Sequence, residues 1–180
     1  VCSSDLLELV ELFEVHDVHS SPARFDMKKL DAINGHKIRA LTPEECLKWS
    51  LPFLTNAGII SGTDAELALV KAALPIIQER IVKLDEIPAM LKFLFVKEFA
   101  VEAESKVKIK DEQSKQVLKR ALEVLEPLAT WNHDAIEGAL RAALIDEMGL
   151  KPRIAFGAVR IAATGSHISP PLFESMELLG

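Results

Sequence analysis

The sequence predicts an all-α fold built as two helical lobes in series. Three observations carry this expectation. Leu, Ala, Ile, Glu and Lys dominate, and Gly is sparse, at 8 of 180 residues, which is a composition of helix formers. Apolar residues recur at three- and four-residue spacing, and β-branched residues rarely cluster in alternating runs. Helix-start signals punctuate the chain at Asp26, Thr42-Pro43, Thr63-Asp64, Asp111 and Asn132, where a short polar side chain can accept from the free N–H groups of the first turn.

Composition bounds the rest. A chain of 180 residues buries one sizeable core or two small ones. Its 49% hydrophobic and 27% charged content excludes disorder. No run of about 18 uncharged apolar residues is present, so no membrane span is expected, and the N-terminus lacks the layout of a secretion signal. Cys2 and Cys46 are far apart and make neither a disulfide framework nor a metal pattern, which fits a reduced, cytoplasmic protein. Val1 is followed almost at once by helical sequence, so a piece of a longer protein is expected. The net charge of -6 excludes binding of polyanions by overall charge alone.

Taken in order, Ser3 or Ser4 caps a first helix with Leu6, Leu9, Val10 and Phe13 on one face, and His16 to Pro22 is a loop. Asp26 caps a helix whose apolar positions are Met27, Leu30, Ile33, Ile38 and Leu41; Lys28, Lys29, Lys37 and Arg39 put positive charge on the other side. The next helix starts at Thr42-Pro43-Glu44-Glu45 and is expected to kink at Pro52. Ser61 to Asp64 forms a turn and a further cap, and the segment from Ala65 to Lys83 should break near Pro75. Leu94-Phe95-Val96 reads as the buried end of a helix. Glu98 to Lys110, with its alternating Lys106, Lys108 and Lys110, reads as an extended connector. Asp111 caps a helix to Leu125 with a stripe of Val117, Leu118, Ala121, Leu122 and Leu125. Trp131 should pack in the core before a helix from Ala135 to Met148, stopped by Gly149.

The C-terminal stretch differs in charge. From Met148 through Phe173 there is no acidic residue, yet Lys151, Arg153, Arg160 and His167 are all present. It reads as a loop that closes on a helix start, with Ser169 as cap, Pro170 or Pro171 in the first position, and Leu172, Phe173, Met176 and Leu179 turned inward.

Three passages carry a resemblance. R-I-A-A-T-G at Arg160, followed by S-P-P-L-F-E and L-L-G, resembles the C-terminal end of bacterial glutamyl-tRNA synthetases. S-P-A-R-F-D-M-K-K-L-D-A-I-N-G-H-K-I-R-A-L, residues 21–41, resembles the stem-contact region that follows the catalytic loop in that family. Gln78-Glu79-Arg80, then Leu84-Asp85-Glu86-Ile87-Pro88, resembles a third motif, and Trp131 with its following helix fits the same pattern. The three lie in the family's order and together span the chain. The resemblance implies a stem-contact segment over 1–60 and a helical anticodon-binding domain over 61–180, with a sub-boundary near 100–110. It implies that Arg80 reads the third anticodon base, that Arg160 makes a second contact, and that Ser169 and Leu172 border the first base. Lys28, Lys29, Lys37 and Arg39 become candidate tRNA stem contacts. The implied partners are glutamate tRNA, glutamine tRNA in relaxed relatives, and the catalytic domain of the same chain, in a monomer.

The catalytic signatures of that family, of the H-I-G-H and K-M-S-K-S types, do not occur, and no Gly-rich phosphate loop follows a strand. ATP and magnesium are therefore expected to belong to the catalytic domain of the intact enzyme, and the 180 residues here should be inactive alone and hold no cofactor or metal. The five histidines show no zinc spacing. The rival reading from another class is a helical protein-interaction module without an RNA role. The acidic pI of about 5.4 favours it, and the ordered motifs disfavour it.

Overall fold

The structure, a computed structural model, describes residues 10–18, 24–96 and 101–180. Leu6 and Leu9 of the expected first helix, and His19 and Pro22 of the loop after it, lie outside the described residues. Among the described residues there are nine α-helices from Met27 onward, residues 10–12 are helical as well, and there is no strand.

The first lobe is built by local caps. Asp26 accepts from the N–H groups of Lys28 and Lys29 at 2.9 and 3.2 Å, which starts α1 (Met27–Arg39). Thr42 and Glu45 form a reciprocal capping box at the start of α2 (Pro43–Asn56). Thr63 and Glu66 repeat it for α3 (Asp64–Gln78), where the Glu66 carboxylate also accepts from Ser61 and Gly62 N–H. Those bonds hold both glutamates below the usual carboxylate range. The expected breaks at Pro52 and Pro75 do not occur: both helices run through. Both prolines lie on exposed faces, where a carbonyl freed of its helical partner is solvated.

A short helix, α4 (Ile87–Leu91), and a 3-10 turn over Lys92–Leu94 close this lobe. Its core holds Cys46, Leu54, Val70, Leu74, Ile77, Ile81 and Ile87, all 2% exposed or less, and each large side chain contributes roughly 1.5–3 kcal/mol by leaving water. Burial pushes the Cys46 thiol pKa up. Gln78 ties α3 to the α1–α2 connection by donating to the carbonyls of Ile38 and Leu41 at 2.9 and 3.0 Å. Gly35 is buried, with Val82 Cγ1 3.2 Å from where a Cβ would stand, so its lack of a side chain admits the segment after α3. The apolar stripe of α1 is a correction. Ile38 is buried, but Met27, Leu30 and Ile33 are 54, 44 and 49% exposed; the spacing is helical, but no described element covers that stripe.

The second lobe differs from expectation in four places. Residues 103–108 form a helix, α5 (Ala103–Lys108), rather than an extended connector. Asp111 caps α6 (Glu112–Leu125) as expected, but Leu122 is 62% exposed, and the buried stripe is Ser114, Val117 and Ala121. Asn132 caps α7 (His133–Leu140), whose continuation over Arg141–Glu147 is π-helical before Gly149 ends it at φ 65°. The expected loop after Arg153 is instead a 13-residue helix, α8 (Pro152–Thr164), closed by Gly165 at φ 77°. Then α9 (Leu172–Leu179) begins at Pro171, not at Ser169.

One core cluster runs from Ile38 to Leu91 and crosses 60/61, and the other runs from Val117 to Met176. Helix α9 joins the two. Leu172 and Met176 belong to the second core, while Leu178 packs against the first.

Candidate nucleic-acid interface

Two arginines 80 positions apart lie near enough for their charges to act on each other. Arg160 projects from α8, and its Nη1 donates to Ser169 Oγ at 2.9 Å, to the Pro170 carbonyl at 2.6 Å and to the Ser169 carbonyl at 3.4 Å. All three bonds use Nη1, so Nε and Nη2 have no hydrogen-bond partner among the described residues. Arg80 is exposed, just past the end of α3. Arg160 is half-buried, and burial first, then the charge of Arg80, pushes its pKa below the usual arginine value; Glu174 opposes this weakly. Neither arginine forms an ion pair with a carboxylate among the described residues. Two guanidinium groups without an ion-pair partner, only weakly offset by Glu174, repel each other, so an anion or an electron-rich base edge beside them is favoured.

Ser169 and Leu172 take different parts. Ser169 is half-buried, and its hydroxyl accepts from Arg160 and donates to the Pro170 carbonyl at 3.1 Å. It aims the guanidinium rather than capping α9. The Leu172 side chain is 3% exposed and packs in the second core, so it supports the turn from beneath. Trp131 is another correction: it is 37% exposed, and its Nε1 donates to the Met176 carbonyl at 2.8 Å. An indole with one wet edge and one bonded edge braces α9 from outside the core.

His133 adds a second brace, with Nδ1 2.9 Å from Glu177 Oε2 and its backbone N–H donating to the same oxygen at 3.2 Å. The Glu177 hydrogen bond, then the charge of Asp134, raises the His133 pKa. A raised folded-state value stabilises the fold fully below the unfolded-state value, about 6.5, and the benefit is lost as pH rises through the raised value. His133→Gln should therefore unfold at lower urea than the parent at pH 5.5, with the difference shrinking toward pH 8.5. A pH-independent difference contradicts this role for the brace.

The α1 cations are all exposed but do not form one patch. At 3.6 residues per turn, Lys28, Lys29 and Arg39 fall within about 100° of arc, whereas Lys37 lies about 180° from Lys28. On the far side of α8 an open groove of about 660 Å3 is lined by Lys108, Asp111, Arg153, Phe156, Gly157, Arg160 and His167, among others. The sequence marks Arg153 and His167 through the acid-free span, but nothing in it places Lys108 beside them. No group of three or more His, Cys, Asp or Glu able to hold a metal exists among the described residues. No helix among them is long and apolar enough to cross a membrane.

A family model described as "Anticodon binding domain" matches residues 44–180. The chain belongs to the anticodon-binding domain family. That match includes Arg80, Arg160, Ser169 and Leu172 and leaves the α1 cations outside it. The relatives of this anticodon-binding domain chain are consistent in kind. A glutamate–tRNA ligase of Saccharopolyspora erythraea is 46% identical over 96% of this chain and 35% of its own length. One from Rhodococcus jostii is 47% identical over 96% of this chain and 35% of its own. The chain thus spans about a third of the curated relatives it matches. A crystal structure of a glutamate tRNA ligase from Elizabethkingia meningosepticum in complex with its amino acid superposes with a TM-score of 0.69. It is 19% identical and covers 96% of this chain and 33% of that one. At that identity the likeness speaks for the fold, which is all-helical in this anticodon-binding domain chain as the sequence predicts.

Proposed function

We propose that this chain grips the anticodon arm of a tRNA as the C-terminal part of a glutamate–tRNA ligase. The observation that carries the reading is the Arg80–Arg160 corner. Arg160 is held on the Ser169 turn with two of its nitrogens free, and Arg80, remote in sequence and named separately by resemblance, is close enough to act on its charge, neither forming an ion pair among the described residues. Single-stranded bases are read by hydrogen bonds to their exposed edges and by stacking, and a planar guanidinium serves both. Arg80 is assigned to the third anticodon base, and Arg160, aimed by Ser169, to a neighbouring base. Lys28, Lys29 and Arg39 are assigned to stem phosphates, with Lys37 on a separate face. The relatives' printed name, glutamate–tRNA ligase, supports the wider reading that the intact enzyme attaches glutamate to tRNA; ATP and magnesium in its catalytic domain, the cytoplasm and a monomeric state belong to the same proposal. The partner is glutamate tRNA, with glutamine tRNA as the second candidate.

The test uses anticodon stem–loops that differ only at the third anticodon base. The parent chain should prefer one base, and Arg80→Ala should erase the preference, worth roughly 1–3 kcal/mol for a paired contact to a base edge. An unchanged preference in Arg80→Ala removes Arg80 as the reader.

A further inference from the structure

The groove on the far side of α8 is not used by the corner, although Arg160 borders both. Besides Arg160 its cations come from two places, Lys108 at the end of α5 and Arg153 in the first turn of α8, and His167 in the loop after α8 lines it as well. On a helix, Lys106 and Lys108 point about 200° apart, so the alternating sequence run presents only Lys108 to the groove.

The placement of Lys108 is fixed by a specific joint. Ser105 is fully buried, and its hydroxyl meets His167 Nδ1 at 3.0 Å while accepting the His167 backbone N–H at 3.0 Å. One turn earlier, Glu102 N–H donates to the Gly165 carbonyl at 3.0 Å, and its carboxylate accepts from the Ser166 hydroxyl at 2.7 Å. A six-residue helix is thereby pinned to the loop that leads into the Ser169 turn.

The negative charge in the groove is already engaged. Asp111 accepts from the Ser114 N–H at 2.8 Å and the Ser114 hydroxyl at 2.9 Å as the α6 cap. Lys108 and Arg153 form no ion pair among the described residues. The groove is also open in shape: a Cβ added at Gly157 would meet nothing within 4 Å. In a chain of net charge -6, an open channel whose unpaired cations come from different elements suits an extended polyanion.

We infer that this groove is a track for the sugar–phosphate backbone of single-stranded RNA, with Lys108 and Arg153 as its phosphate contacts. It deepens the anticodon reading and rests on it: the corner reads bases and the track holds the strand that presents them. The two functions separate by salt and by sequence. Each phosphate contact adds about 0.7 to the slope of log affinity against log salt for a single strand, whereas base readers change discrimination.

The experiment measures binding of the chain across a salt series to three probes: the cognate stem–loop, the same stem–loop with a scrambled anticodon, and one with abasic loop positions. The Lys108→Ala/Arg153→Ala variant should lower the slope by about one to one and a half for all three probes alike and leave the cognate-to-scrambled ratio unchanged. Gly157→Phe, which fills the channel without removing a charge, should weaken all three, with circular dichroism confirming the fold. An unchanged slope in the double variant, or unchanged binding in Gly157→Phe, overturns the track. If only the groove variants are silent while Arg80→Ala erases discrimination, the anticodon reading stands without the track. If the parent binds every probe equally but the double variant lowers the slope, the track stands and the base-reading assignment falls. No binding of any probe at low salt overturns both.

Discussion

Arg160→Ala is expected to weaken binding of the cognate anticodon arm by about 10- to 100-fold while leaving the fold almost as stable as before. The two effects are separable because the guanidinium sits under opposing forces. Its Nη1 bonds to the Ser169 and Pro170 oxygens are charge-assisted, the kind worth about 1.5–3 kcal/mol each in favourable settings. Against them stand partial burial and repulsion from Arg80, which are relieved when the charge is removed. The net stability change should fall within about 1 kcal/mol, inside the range of ordinary surface substitutions plus one lost contact. Binding has no such offset, because Nε and Nη2, the edges left over, are what a ligand would meet. Arg160→Lys should keep part of the affinity and lose base discrimination, since a point charge lacks the fork. Thermal melts alongside fluorescence anisotropy with a labelled stem–loop check both halves. A melt lowered by many degrees with affinity lost in proportion would make Arg160 a strut of the turn and nothing more.

Leu172→Ala should do the reverse. The side chain is 3% exposed in the second core, and removing three carbons from such a site costs about 2–5 kcal/mol. That is a large share of the stability of a domain this size, about 5–15 kcal/mol. The variant should therefore unfold at distinctly lower urea. Where the folded fraction is still near one, at low temperature and without denaturant, its affinity for the stem–loop should match the parent within about threefold, or 0.65 kcal/mol. Loss of affinity with unchanged stability would place Leu172 against the base after all. Ser169→Ala is the natural companion, because it removes the one side-chain bond to Arg160 and leaves the bonds to the Ser169 and Pro170 carbonyls.

The features legible in the sequence are those that depend on near neighbours. Asp26, Thr42, Thr63, Asp111 and Asn132 all cap the helices expected of them, because a cap involves only the next three residues. Helix α8 was not legible as a helix, although its boundary signals are present: Pro152 sits at the first position, and Gly165 follows the last. Gly157 in its middle and the lack of opposite-charge pairs weaken the helical signal there. The apolar stripe of α1 has correct periodicity and wrong burial, because spacing reports a face and says nothing of its cover. Trp131 misled for a related reason: a large aromatic ring usually buries, but its N–H found the Met176 carbonyl at the rim. The nearness of Arg80 to Arg160 lay beyond any local rule, since α9 must dock on both lobes before they approach. Resemblance named both residues, and only the three-dimensional packing brings them together.

The central claim is that this chain recognises an anticodon, and one measurement addresses it most directly. The chain is titrated, at several salt concentrations, with the glutamate anticodon stem–loop and with the same stem carrying a scrambled anticodon. Recognition of the anticodon predicts a preference for the cognate loop of at least tenfold that persists as salt weakens both. Equal affinity for the two loops at every salt concentration would contradict it.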